Sequence, residues 1–104
     1  MKVLVAEDDQ FTRNGLVEVL ESEGYQVIAA ADGTEAIKQF NVQQPDFVCL
    51  DIMMPGRSGY EACSAIRAAS PDVPIIFISA KAEEVDRLVG FEVGADDFIA
   101  KPFS

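Results

Sequence analysis

Phe47-Val48-Cys49-Leu50 is an apolar run that stops at a carboxylate, Asp51, and Met53-Met54-Pro55-Gly56 follows almost at once. A strand of that composition, with no polar alternation, needs to be buried on both faces. A charge placed directly after it is costly unless it meets solvent or a cation. The run therefore predicts an inner strand of a sheet covered on both sides. Asp51 then stands at the strand's carboxyl end, which is the edge where ligands bind in open α/β sheets.

The rest of the chain repeats the pattern. Val3-Leu4-Val5-Ala6 is a first apolar strand closed by Glu7-Asp8-Asp9. Asp8 or Asp9 can cap a helix with Phe11, Leu16, Val19 and Leu20 as its apolar positions, ended by Gly24. Tyr25 to Ala30 reads as the second strand, Asp32-Gly33 as a turn, and Ala36, Ile37 and Phe40 as the stripe of a second helix. The third strand starts at Pro45 and ends at Leu50; Ala62, Cys63, Ile66 and Ala69 mark a third helix, broken by Ser70-Pro71-Asp72. Ile75-Ile76-Phe77-Ile78 forms a fourth strand stopping at Ser79. Val85, Leu88 and Val89 give a fourth helix, weakened by Gly90 inside it, with Gly94 as its cap. Phe98-Ile99-Ala100 is a short fifth strand ending at Lys101-Pro102.

Apolar strands alternating with amphipathic helices imply an α/β fold, a doubly wound parallel sheet of five strands. Right-handed crossovers then bring every carboxyl end to one edge. Glu7, Asp8, Asp51, Ser79 and Lys101 meet there although they are scattered in sequence.

The chain has 104 residues, enough for one domain, and 49% of them are apolar. Its formal net charge is −10 with no histidine, which argues against direct nucleic-acid or anionic-membrane binding. It carries neither a signal-peptide pattern nor a membrane-length apolar run. Cys49 and Cys63 lack metal-ligand spacing and read as reduced core residues of a cytoplasmic protein.

Clustered carboxylates repel one another, and a hard divalent cation is the usual remedy. Magnesium beside a lysine and a hydroxyl suits phosphoryl transfer, with Asp51 as the nucleophile that forms an aspartyl phosphate. Taken singly, the same residues have plainer readings. Glu7-Asp8-Asp9 alone is more simply a capping cluster, Asp51 a turn residue, Ser79 a helix cap and Lys101-Pro102 a surface turn. Asp96-Asp97 reads as a solvated turn, Arg57 as an exposed loop charge, and Met53-Met54 as no soft-metal site.

At this point the segments LVAEDD, CLDIMMPGRSG, IIFISAKA and GADDFIAKPF carry a resemblance over nearly the whole chain. It resembles the receiver domain of bacterial two-component response regulators, chemotaxis-regulator-like. The resemblance implies a flavodoxin-like sheet of order 2-1-3-4-5, with residues 1–104 as one receiver domain. It implies Asp51 as phosphoacceptor, with magnesium held by Asp8, Asp51 and the Met53 carbonyl, and by Glu7 through water. Lys101 would contact the phosphoryl group, Ser79 would be the switch hydroxyl and Phe98 the switch aromatic. The implied partner is a sensor histidine kinase or a histidine phosphotransfer protein. Glu7, Ser79 and Phe98 stand where many members have Asp, Thr and Tyr, and each keeps the group that the role needs.

Members of that family continue into a fifth helix, whereas this chain stops at Ser104. It therefore reads as C-terminally truncated. The expectation is that strands three to five are uncovered on one face, near Val48, Ile76, Ile78 and Ile99. The chain would then self-associate through that face or fold only marginally. Two other functions fit the chain less well. An aspartate-nucleophile phosphatase of the haloacid-dehalogenase-like kind carries a second Asp where this chain has Met53. A phosphorylation-independent interaction module usually lacks part of the constellation. No nucleotide-binding glycine motif is present.

Overall fold

In a computed structural model, residues 1–79 and 89–100 are described. They form β1 (Lys2–Ala6), α1 (Gln10–Ser22), β2 (Gln26–Ala30), α2 (Gly33–Gln43), β3 (Phe47–Asp51), α3 (Gly59–Ala69), β4 (Ile75–Ser79) and β5 (Asp97–Ala100). Residues 89–92 are helical. Val85 and Leu88, the other members of the expected fourth stripe, lie outside the described residues. β3 begins two residues later than Pro45 and takes in Asp51 itself.

All strands are parallel, in the order β2-β1-β3-β4-β5. This is the expected flavodoxin-like arrangement, in which the strand order reverses between the neighbours β1 and β3 and opens a crevice at the strand ends. Register aligns that edge. Ala6 pairs with Leu50, so Glu7 and Asp51, the next residues, stand side by side. Asp51 in turn pairs with Ile78 of β4.

Alternation along the strands divides the core in two. Leu4, Ala6, Val48, Leu50, Ile75, Phe77 and Phe98 point to the face where Ala36, Phe40, Ala62, Cys63 and Ile66 of α2 and α3 pack. Val3, Val5, Cys49 and Ile78 point the other way, against Leu16 and Leu20 of α1. Two expectations change here. Phe11 is 89% exposed and Val19 61% exposed, so only the i, i+4 pair Leu16 and Leu20 seats α1 on the sheet. The face expected to be bare is so only in part: Cys49 and Ile78 are buried on the α1 side, Ile76 is half-buried, and Val48 belongs to the opposite face. Exposure is greatest at the β5 edge, where Ile99 is 44% exposed.

The helix starts are capped by side chains. Asp32 accepts from the Glu35 amide at the start of α2. Ser58 and Glu61 form a reciprocal capping box at the start of α3. Among the described residues no helix is long and apolar enough to cross a membrane.

Candidate functional site

The acidic stretch after β1 divides its three carboxylates among different surroundings. Glu7 is fully buried and its Oε2 accepts from the Asp9 amide at 3.2 Å. Asp8 is exposed. Asp9 is the cap of α1: its Oδ2 accepts from the Thr12 amide at 2.8 Å and the Thr12 hydroxyl at 2.7 Å. Of the two candidate caps, Asp8 and Asp9, it is Asp9 that caps the helix.

Asp51 is 5% exposed at the end of β3. Among the described residues, Glu7, Asp8 and Asp51 offer carboxylate oxygens that all lie within 4.8 Å of one another. Two buried charges at that separation repel by about 3 kcal/mol at an effective dielectric constant of roughly 20. An arrangement of oxygens alone, without sulfur or imidazole, suits a small hard cation. The residues present therefore fit magnesium.

The loop after Asp51 is held in place from below. The Ile52 amide donates to the Ile78 carbonyl at 3.2 Å, and the Gly59 amide donates to the Ile52 carbonyl at 2.8 Å. Gly59 opens α3 hard against the strand end. A Cβ there would collide with the Asp51 carbonyl and lie 2.8 Å from the Ile52 Cα. Met54 turns into the core, whereas Met53 is 77% exposed. Arg57 is exposed, as expected.

Phe98 is buried, its ring 5.4 Å from Phe77 and 5.7 Å from Phe91 between centroids. Tyr60, the second residue of α3, meets Phe77 edge-on at 5.4 Å. Ser79 ends β4, one register step beyond the partner of Asp51, and pairs with Ala100. The Ser79 side chain and the whole of Lys101 lie outside the described residues.

Two arginines carry contacts that sequence reasoning missed. Arg13 Nη1 donates to the Glu7 carbonyl at 2.8 Å and the Asp8 carbonyl at 3.4 Å, pinning the backbone that bears the acidic pair. Side chains in a first helical turn point back toward the helix start, and that direction was the available signal. Arg67, at the end of α3, pairs with Asp96 at 2.9 Å. Asp96 also accepts from the Ile75 amide at 2.7 Å, so the exposed turn expected here is a structural anchor as well.

Both cysteines are free and buried. Burial pushes the Cys49 thiol from its ordinary 9.0 up to about 11. Burial likewise raises Cys63 to about 11, with Arg67 opposing the shift and Asp96 adding to it. Cys63 Sγ lies 3.6 Å from the Val93 carbonyl. Such thiols are inert.

Comparison with known proteins agrees with this geometry. The family model described as "Response regulator receiver domain" matches residues 3–104. The alkaline phosphatase synthesis transcriptional regulatory protein PhoP of Bacillus subtilis (strain 168) is 43% identical over 103 residues. The match takes in 99% of this chain and 43% of PhoP, so the chain spans less than half of that relative's length. Among solved structures, the Vibrio cholerae chemotaxis protein CheY4 superposes with a TM-score of 0.95 at 31% identity, over 99% of this chain and 88% of that one. A chain of the CheX-CheY-BeF3-Mg+2 complex from Borrelia burgdorferi gives a TM-score of 0.95 at 34% identity, over 100% of this chain and 80% of that one. Phosphorylation and magnesium binding are typical of the family that these matches define. With a family model covering all but its first two residues, this chain belongs to the response regulator receiver domains of two-component systems.

Proposed function

We propose that this chain is a phosphoacceptor module in which Asp51 takes a phosphoryl group from a histidine kinase or a histidine phosphotransfer protein. The observation that carries the reading is the convergence of Glu7, Asp8 and Asp51 within 4.8 Å at the carboxyl edge of the sheet. In the transfer, an Asp51 carboxylate oxygen forms a bond to phosphorus as the bond from phosphorus to the donor's imidazole nitrogen breaks. The product is an acyl phosphate on Asp51. Asp8, Asp51 and the Met53 carbonyl would hold magnesium directly, and Glu7 would act through water. When bound, the ion neutralises charge on the phosphoryl oxygens. The related Borrelia burgdorferi complex contains BeF3 and magnesium, which supports the same chemistry here.

Arg13 holds the backbone of Glu7 and Asp8, whose carboxylates meet that of Asp51. In this reading Lys101 steadies the phosphoryl group, and Ser79 moves toward it once it is in place. The space that Ser79 leaves favours the inner position of Phe98, a shift between existing states. The chain is a signalling domain that assists its own phosphorylation and dephosphorylation, not a turnover enzyme.

The test is intact mass after treatment with acetyl phosphate, with and without magnesium. A single phosphoryl adduct should form on the wild type only when magnesium is present, and should vanish in Asp51→Asn. Asp8→Ala should lose most magnesium binding by calorimetry, while Asp97→Ala, an exposed acid on β5, should keep it. An unchanged adduct in Asp51→Asn, or equal losses in Asp8→Ala and Asp97→Ala, would refute the assignment.

A further inference from the structure

Gly90 stands in the helical segment 89–92, where glycine is less favourable than alanine. Packing supplies the reason for it. A Cβ on Gly90 would lie 2.5 Å from Phe98 Cε2, 2.6 Å from Phe98 Cζ and 3.0 Å from Phe77 Cδ2. Separations of that kind do not survive in a close-packed interior, so the Phe98 ring would have to leave. Gly90 itself is buried. The ring it admits is buried too, between Phe77 and Phe91.

The row of rings reaches back toward the acidic edge. Gly59 packs against the Asp51 carbonyl, Tyr60 follows it in α3, and Tyr60 touches Phe77, which touches Phe98. Phe98 is the last ring before the partly exposed Phe91, which is 49% exposed. Whatever decides how often Phe98 lies inside therefore bears on how Phe91 is presented at the surface.

We propose that Gly90 is the positioning residue for Phe98: the missing side chain at 90 is what opens the inner seat of that ring, and it sets how often the seat is filled. The proposal rests on the reading of Phe98 as the switch aromatic and names what controls its equilibrium. Filling position 90 would drive Phe98 outward whether or not Asp51 carries a phosphoryl group. The acidic cluster would be untouched.

Four proteins test it: wild type, Gly90→Ala, Phe98→Ala and the double variant. In the wild type, ring-to-ring nuclear Overhauser effects between Phe98 and Phe77 should be strong. In Gly90→Ala they should fall by about fivefold or more. Thermal melting adds a sign. An ordinary helical Gly→Ala exchange raises the midpoint. Here Gly90→Ala should lower it by about 5 °C in the native background, yet leave it unchanged or raised beside Phe98→Ala, where the two closest clashes are gone and only the looser Phe77 contact remains. Should Gly90→Ala fail to fold, recovery of folding in the double variant supports the proposal, and failure of both overturns it. Retained Phe98–Phe77 effects in Gly90→Ala, or an equal fall in midpoint in both backgrounds, would also overturn it. Adding beryllofluoride with magnesium to the wild type tests the underlying reading separately. Phe98 resonances that ignore it would remove the switch role while leaving the seat to be judged by the Gly90→Ala spectra.

Discussion

Removing the Arg67 guanidinium should destabilise the domain by far more than the loss of one surface ion pair. Arg67 Nε and Nη2 both donate to the Gly94 carbonyl, at 3.1 and 2.7 Å. Its Nη1 donates to the carbonyls of Ser70, Pro71 and Val73, at 3.3, 2.9 and 2.7 Å. One side chain thus closes the end of α3, the turn before β4 and the turn before β5. The Asp96 partner is 56% exposed, so the ion pair itself contributes at most about 1 kcal/mol. The Pro71 bond is exposed, and water can replace it. The part-buried Gly94 and Val73 carbonyls are the costly losses, since charged hydrogen bonds contribute about 1.5–3 kcal/mol each and are not fully additive. Arg67→Met, which keeps the aliphatic packing, should therefore cost about 3 kcal/mol. For a domain of this size that is a fall of roughly 14 °C in melting midpoint. Urea unfolding followed by circular dichroism measures it, in 0.15 M and 1 M salt, beside Asp96→Asn as the ion-pair control. Salt should weaken the Asp96 contribution and leave most of the Arg67 one. If Arg67→Met costs no more than Asp96→Asn, the carbonyl fan contributes nothing and the argument fails.

Two further outcomes follow from contacts already described. Gly59→Ala should cost on the order of 2 kcal/mol, because a methyl group there meets the Asp51 carbonyl and overpacks the strand end. The same variant should weaken magnesium binding by calorimetry, and a neutral result in both measurements would show that α3 can retreat freely. The buried thiols give a pH dependence. Cys49 and Cys63 titrate at about 11 when folded against 9.0 ordinarily, so the unfolded chain gives up its protons first as pH rises. Stability from these groups is complete below pH 9.0 and is lost toward about 11, at most roughly 3 kcal/mol per thiol. Urea unfolding at pH 8 and pH 10.5 should show a smaller decline in Cys49→Ala/Cys63→Ala than in the wild type, and equal declines would refute it.

The sheet and its functional edge were legible because both follow from local composition. Val3–Ala6, Phe47–Leu50 and Ile75–Ile78 have no polar alternation, so a doubly covered parallel sheet was the available solution, and topology alone then gathered Glu7, Asp8 and Asp51. What stayed illegible depends on partners distant in sequence. Asp96 looked like a solvated turn because the arginine that meets it is 29 residues away. The apolar stripe of α1 was read too widely: Phe11 fits the helical period as well as Leu16 does, and only the path of the helix over the sheet separates them. Gly90 looked like a weakness because propensity registers the cost of a glycine and not the ring that occupies its space. The Ser58-x-x-Glu61 capping box was written in the sequence and passed over, hidden by the loop on its N-terminal side.

Glu7, Asp8 and Asp9 are chemically near twins, yet one is buried, one faces solvent and one is spent on the amides of α1. Nothing in a carboxylate chooses among those fates. Counting does: the last β1 pairing fixes where residue seven falls, and the first turn of α1 fixes where residue nine must be. The junction behaves as a reading frame. Exchanging Asp for Glu within it alters reach by one methylene and leaves the assignments standing. Deleting Asp9 would hand the cap to the solvent-facing acid, empty the buried position and misread every member at once. Length is therefore the more stringent constraint on this loop, and side-chain identity the more forgiving one.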